Sequence, residues 1–160
     1  MAEQRVGIGF DAHAFSGAKP LVLGGVHFPG EAGLLGHSDG DVIAHALIDA
    51  VLGAANLGDI GSLFPSDEDR WAGASSLDLL AKAWAGVQEA RWRLVNADCV
   101  LVGERPRIAR QREEIARRLA TALGVDHGRV SVRATTTDGL GFTGRVEGLA
   151  AHAVALLERP

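Results

Sequence analysis

The run VIAHALIDAVLGAANL, residues 42–57, constrains the chain most. Its length suits a helix of about four turns, and it is apolar on almost every side. Such a helix has no face to give to water, so other elements must wrap it. The preceding HSDGD, residues 37–41, offers Ser38 or Asp39 as its N-cap.

The flanking segments supply the wrapping. Residues 5–15 (RVGIGFDAHAF) read as a strand, and 20–28 (PLVLGGVHF) as a second strand or hairpin arm. Residues 29–36 (PGEAGLLG) are turn-rich, and 58–73 form a long polar, glycine-rich loop of a kind that is usually functional or disordered. A second helix is expected over 75–92, with Ser75 and Asp78 approximating a capping box. A strand follows at 93–104. A third helix is expected over 106–124, with Pro106 in its first turn and Gly124 as its stop. Residues 130–138 read as a strand and 140–148 as a glycine-punctuated loop, while 149–158 fit strand and helix equally by periodicity. No repeat, linker or low-complexity tract interrupts the 160 residues, so the expectation is a single α+β domain over 1–160 with helices on one face of a sheet.

Charge and composition remove several function classes. The formal net charge of −4 gives no pull toward nucleic acid or anionic membrane. No apolar run reaches the roughly 18 residues that span a bilayer. MAEQR leads directly into the first strand, with no signal peptide expected, and the lone Cys99 fits a reducing compartment; a cytoplasmic protein is the expectation. The third helix and its approach carry Arg105, Arg107, Arg110, Arg112, Arg117 and Arg118, but Glu113 and Glu114 interrupt them and aromatics are absent, so it reads as a solvated face. His27, His127 and His152 stand alone and read as structural or surface residues.

Polar residues sit where apolar ones belong in the first third of the chain. Asp11 and His13 are two apart on a strand and share a face. They suit an ion pair, a catalytic pair, or two ligands awaiting a third. His45 lies in the apolar helix, so its imidazole needs a specific partner. A metal held by Asp11, His13 and His45, with one open position, is the pattern of a catalytic zinc site. Asp41 or Asp49, each four residues from His45, would then orient its other ring nitrogen. Against this, Asp39 and Asp41 fit a helix N-terminus with no further role. A second cluster, ATTTDGLGFTGR at 134–145, offers Thr135, Thr136 and Thr137 hydroxyls, backbone amides and Arg145 as a phosphate nest. A plain strand end followed by a DG turn fits the same residues. No protein nucleophile is prominent, since Cys99 sits mid-strand without a partner.

GFDAH, LLGHSDGDVIAHALIDAVLGAANLGDIGSLFP and ATTTDGLGFTGRVEG together resemble the 2-C-methyl-D-erythritol 2,4-cyclodiphosphate synthases of the non-mevalonate isoprenoid pathway, from residue 5 to about 158. The resemblance implies a homotrimer with active sites between subunits, each subunit a four-stranded mixed sheet with helices on one face, and it favours a strand at 149–158. It implies conversion of 4-diphosphocytidyl-2-C-methyl-D-erythritol 2-phosphate to the cyclic diphosphate with release of CMP, a phosphorus–oxygen lyase reaction. Asp11, His13 and His45 match ligands of zinc or another divalent transition metal, and Asp11 and His13 also match substrate contacts. His37 and Ser38 match contacts to the phosphate and diol part, and Asp59 and Gly61 match those to erythritol. The loop Phe64, Pro65, Ser66, Asp67 and Glu68 lies over the site by this resemblance.

Gly103, Glu104, Arg105, Pro106, Arg107, Ile108 and Ala109 match the cytidine pocket. Thr135, Thr136 and Asp138 match phosphate contacts, and Asp138 also matches the acid that helps hold magnesium or manganese with the diphosphate. His37 and Thr136 match transition-state stabilisers. Phe142 and Arg145 match substrate contacts, while Phe10, Arg145 and Glu147 map to a cavity on the trimer axis proposed to take isoprenoid diphosphates. The chain departs from the family in having Asp138 for a usual Glu, Arg107 for a frequent Lys, and Ser66 for a common acid. These bear on magnesium and cytidine binding. Two other functions fit the same residues: a zinc-dependent phosphohydrolase, and a non-catalytic trimer that binds nucleotides or isoprenoid diphosphates.

Overall fold

The computed structural model describes residues 1–160. Its elements in chain order are β1 (Glu3–Leu23), β2 (Val26–Leu34), α1 (Val42–Ala55), α2 (Ile60–Leu63), a 3-10 turn at Asp69–Trp71, α3 (Ser76–Glu89), β3 (Arg93–Val102), α4 (Arg112–Leu123), a second 3-10 turn at His127–Arg129, β4 (Val130–Thr135), α5 (Gly141–Gly144) and β5 (Gly148–Arg159). The strands form one mixed sheet in the order β2-β1-β5-β3-β4, with β3 and β4 parallel and the other pairs antiparallel. No helix is long and apolar enough to cross a membrane.

The sheet has five strands where the family resemblance implies four, because β1 extends far enough to pair with β2 as well as β5. This 21-residue strand changes partner along its length. Glu3–Ala14 pair with β5, and Phe15–Leu23 pair with β2. The segment 29–36 is therefore largely strand, not turn. Pro29 and Gly30 suit it because β2 is an edge strand, where an N–H missing from the ladder is tolerated.

Helix α1 packs on β1 at backbone distance. A Cβ at Gly7 would lie 2.0 Å from the Ala50 carbonyl oxygen, and one at Gly9 would lie 1.8 Å from that of Ala46. The helix thus runs antiparallel to the strand. Two residues of strand advance about 6.6 Å and four residues of helix about 6.0 Å, so each glycine meets the next turn of the helix. The face of β1 that carries Gly7 and Gly9 also carries Asp11 and His13. Glycine stands where the helix lies flush, and polar side chains stand where its N-terminus arrives. That answers why an acid and an imidazole occupy an inward-facing strand position.

Buried side chains of α1, α3 and α4 join Leu94, Cys99, Leu101, Val130, Val132, Leu149 and Leu157 in one core. The helices cover only this face. On the opposite face, Val6 and Ile8 are 69% and 70% exposed, and Phe10 and Val154 are 53% and 43% exposed. His152 packs against Phe10 there, with ring centroids 4.9 Å apart and planes tilted by 54°.

Local expectations shift at several ends. The N-cap of α1 is Asp41, not Ser38 or Asp39; its carboxylate accepts from Ala44 N. Ser75 caps α3 by position but makes no side-chain capping bond. Asp39 instead accepts the Ser76 N–H through Oδ2 at 3.0 Å. The third helix begins at Arg112, and 103–111 is a loop, so Pro106 is not in its first turn. The long loop 58–73 contains α2, whose Asp59 forms a capping box with Ser62. The segment 140–148 carries the single turn α5. The arginines of α4 are exposed, and Arg117 and Arg118 pair with Glu114.

Candidate active site

Asp11 and His13 from β1 meet His45 from the first turns of α1. Asp11 Oδ2 lies 2.7 Å from His13 Nε2 and 3.1 Å from His45 Nδ1, and the two ring nitrogens are 3.2 Å apart. Bonds of about 2.0–2.1 Å in tetrahedral zinc place neighbouring ligand atoms roughly 3.3 Å apart. One carboxylate oxygen and two imidazole nitrogens at these separations therefore fit such an ion, and the O,N,N set suits zinc and its first-row neighbours. The surroundings tune the same atoms. Burial opposes charge on Asp11, but hydrogen bonds from His13 and His45 hold its carboxyl below the usual range. The Asp11 bond raises the affinity of His13 for a proton, with burial working against it and a hydrogen bond to the Leu35 backbone adding to it.

The residues expected to orient His45 do not do so. Asp41 is fully buried and accepts the N–H groups of Gly24 and Gly25 at 2.8 Å each, besides capping α1. Burial, with the nearby charge of Asp39, pushes its carboxyl up to about 6. Asp49 accepts the Ile60 N–H at 2.7 Å and so ties α2 to α1. The second nitrogen of His45, Nε2, faces two buried hydroxyls: Ser76 Oγ at 2.8 Å and Ser38 Oγ at 3.0 Å. No spacing in the sequence pointed to Ser76, which lies 31 residues beyond His45.

A cavity of about 390 Å³ opens over the triad. Asp11, His13, His37, Ser38, His45, Gly61, Phe64, Pro65, Ser66 and Asp67 line it, together with Ile60, Trp71 and Leu79, which the sequence reading missed. Trp71 meets Phe64 edge-on at 4.9 Å, so the loop over the cavity has its own aromatic brace. An isolated Trp in a polar loop was the available signal. His37 Nε2 lies 3.0 Å from the Glu68 carbonyl oxygen. Lys19, also missed, donates to the carbonyls of Gly36 and Ser38 and so clamps the backbone on both sides of His37. Asp59 and Glu68 stand outside the cavity lining; the Asp59 carboxylate is spent on capping α2.

The second group gathers elsewhere. Gly103, Glu104, Pro106, Arg107, Ile108, Ala109, Thr135 and Thr136 line another cavity of about 330 Å³, with Arg112 and Ala134 added. Arg105 turns away and pairs with Glu31 at 3.0 Å. Thr137 bonds the Leu140 carbonyl and Thr143. Asp138 is exposed beside Thr136, and Phe142 is exposed on α5. Arg145 is exposed and paired with Glu147. The sheet explains the separation. Asp11, Ala151, Leu101 and Ala134 lie in one register row, so β1 and β4 are three strand spacings apart, on the order of 14 Å. Within one chain the triad and the threonine cluster line different cavities.

The YgbB family model matches residues 4–158. The chain is 54% identical over 162 residues to a 2-C-methyl-D-erythritol 2,4-cyclodiphosphate synthase of Rubrobacter xylanophilus, covering 99% of this chain and 98% of that protein. It is 55% identical over 153 residues to a bifunctional enzyme IspD/IspF of Anaeromyxobacter dehalogenans, covering 96% of this chain. The chain spans about two fifths of the length of that bifunctional relative, 39%. Among solved structures, a CDP complex of IspF from Plasmodium falciparum superimposes with a TM-score of 0.85 at 31% identity, covering 98% of this chain and 96% of that one.

Proposed function

The chain belongs to the YgbB family, and from that premise we propose that it is a 2-C-methyl-D-erythritol 2,4-cyclodiphosphate synthase domain spanning 1–160, acting in isoprenoid precursor biosynthesis in the cytoplasm. One observation carries the reading: Asp11, His13 and His45 converge beside His37 and Ser38 in one cavity of a chain that matches such synthases end to end.

In this reaction the 2-phosphate of 4-diphosphocytidyl-2-C-methyl-D-erythritol 2-phosphate attacks the β-phosphorus. A new P–O bond closes the ring. The bond from the β-phosphorus to the bridging oxygen breaks, and CMP leaves with that electron pair. Both reacting groups are anionic and belong to one molecule, so charge neutralisation and alignment carry most of the work. A divalent ion such as zinc, held by Asp11, His13 and His45, would offset phosphate charge and fix oxygen positions. Ser38 and His37 line the same cavity, where the phosphate and diol would lie. Phe64–Glu68 and Trp71 form a wall that limits water, which would otherwise divert cyclisation to hydrolysis.

The second cavity takes the cytidine end. Pro106, Ile108 and Ala109 supply its apolar wall, and Thr135 and Thr136 supply hydroxyls for the diphosphate. The CDP carried by the Plasmodium falciparum relative supports a cytidine nucleotide as ligand. Asp138 stands at the rim for a magnesium or manganese ion accompanying the diphosphate. Since one chain keeps the two cavities apart, a complete site takes the triad from one subunit and the cytidine pocket from its neighbour. A homotrimer assembled through the bare apolar face of the sheet provides this, with Phe10, Arg145 and Glu147 near its axis as candidate contacts for an isoprenoid diphosphate.

The test is to supply the purified protein with zinc, magnesium and the cytidyl substrate and to follow CMP and the second product. Steady CMP release with a cyclic diphosphate is expected. An opened diphosphate would make the protein a phosphohydrolase. CDP binding without turnover would make it a binding protein.

A further inference from the structure

We propose that Asp39, acting through Ser76, is the positioning residue that fixes the tautomer of His45 and so turns Nδ1 into a metal ligand. The inference rests on the reading of Asp11, His13 and His45 as ligands.

Ser76 is fully buried, and its Oγ contacts both the Asp39 carboxylate and His45 Nε2. A hydroxyl has one proton, and an ionised carboxylate only accepts. The Ser76 proton therefore goes to Asp39 Oδ1. The Ser76 oxygen is left with lone pairs toward His45 Nε2, 2.8 Å away, so that nitrogen carries the hydrogen. A neutral imidazole has a single N–H, and Nδ1 is left with its lone pair facing Asp11 and His13.

Two groups could oppose this arrangement. Asp11 Oδ2 would draw a proton onto Nδ1, but that contact is longer at 3.1 Å, and the same oxygen already receives His13 at 2.7 Å. Ser38 Oγ, 3.0 Å from Nε2, could donate to it, but it is the more distant of the two hydroxyls and has Ser76 Oγ as an alternative acceptor at 3.4 Å. Asp39 itself is rigid. It accepts the Ser76 N–H at 3.0 Å and the Asp41 N–H at 3.1 Å besides the hydroxyl. The order is carboxylate, hydroxyl, imidazole, metal, and its first two members come from the residues before α1 and the first turn of α3.

The experiment uses the full chain with Ser76→Ala and Asp39→Asn. His45 is assigned, and its two ring nitrogens are read by long-range 1H–15N correlation in metal-free protein at about pH 8. Zinc affinity is measured by competition with a chromogenic chelator, and a denaturation midpoint for each variant confirms that it is folded. The wild type is expected to carry the proton on Nε2. Ser76→Ala is expected to move it toward Nδ1 and to weaken zinc about 10–100-fold, the usual effect of losing such an outer partner. Asp39→Asn, which cannot accept at both oxygen positions, is expected to shift both readouts in the same direction. A wild-type His45 protonated on Nδ1, or folded variants that bind zinc within twofold of wild type, would overturn the proposal. A wild type that binds no zinc would sink the metal reading instead, and the nitrogen spectra would then decide the role of Asp39 alone.

Discussion

Gly9→Ala tests the link between packing and site most directly. The added Cβ would sit 1.8 Å from the Ala46 carbonyl oxygen. A carbon and a carbonyl oxygen settle at about 3.3 Å or more, so roughly 1.5 Å of separation must be found. The opposing atom is helix backbone, which has no rotamer to move into, so α1 itself must lift. Overpacking costs about 1–3 kcal/mol, and a backbone clash belongs at the upper end, near 3 kcal/mol. The lift also carries His45 away from Asp11 and His13, whose contacts of 3.1 Å and 3.2 Å leave little slack. Ligand distances are held to about 0.2 Å in a metal site, so zinc affinity should fall at least about tenfold. Gly53→Ala is the control on the same helix. Nothing lies within 4 Å of its added Cβ, and it should stabilise by about 0.5–1 kcal/mol. Urea denaturation of metal-free protein gives the first number and chelator competition the second. If Gly9→Ala matched wild type in both, α1 would not lie against β1 as described, and the account of the triad would fail with it.

Other substitutions probe separate joints. Asp41→Ala removes a helix cap and strands the N–H groups of Gly24 and Gly25; roughly 3–5 kcal/mol of stability should be lost, read from the urea midpoint. Lys19→Met frees the carbonyls of Gly36 and Ser38, so kcat/KM for CMP release should drop about tenfold while zinc affinity stays within twofold, and Lys19→Arg should recover most of the loss. Burial pushes the Cys99 thiol up to about 12. The thiolate is therefore scarce at pH 8, and a thiol reagent should leave the folded protein unlabelled but modify it once unfolded.

The apolar run of α1 and the polar pair on β1 were legible because each breaks a rule that only the other resolves. An all-apolar helix needs a neighbour on most sides, and buried imidazole and carboxylate groups need one another or a metal. The partner of His45 Nε2 was not legible. Asp41 and Asp49 share its helical face, yet each is drawn off by backbone N–H groups from β1–β2 or α2, and the available hydroxyl comes from a different helix. The extension of the second strand through Leu34 was obscured because Pro and Gly in 29–36 signal turns, and only the edge position of β2 makes them compatible with pairing. Pro106 looked like a helix start because Pro favours that position, whereas the chain uses it to wall a cavity and delays the helix to Arg112. The division of the threonine cluster from the triad follows from strand order, which local sequence does not encode.

The row Gly7, Gly9, Asp11, His13 has a bearing on how the gene can change length. Deleting or inserting one residue between Gly9 and Asp11 would put the glycines and the ligands on opposite faces of the strand, sending the ligands outward while the glycines stay against α1. Anchor and ligands are thus phase-locked, and indels in that stretch should be unrecoverable by any single compensating substitution. The irregular pairing between Ser16 and Pro20 absorbs such steps without disturbing the phase, so natural length variation in this strand belongs there.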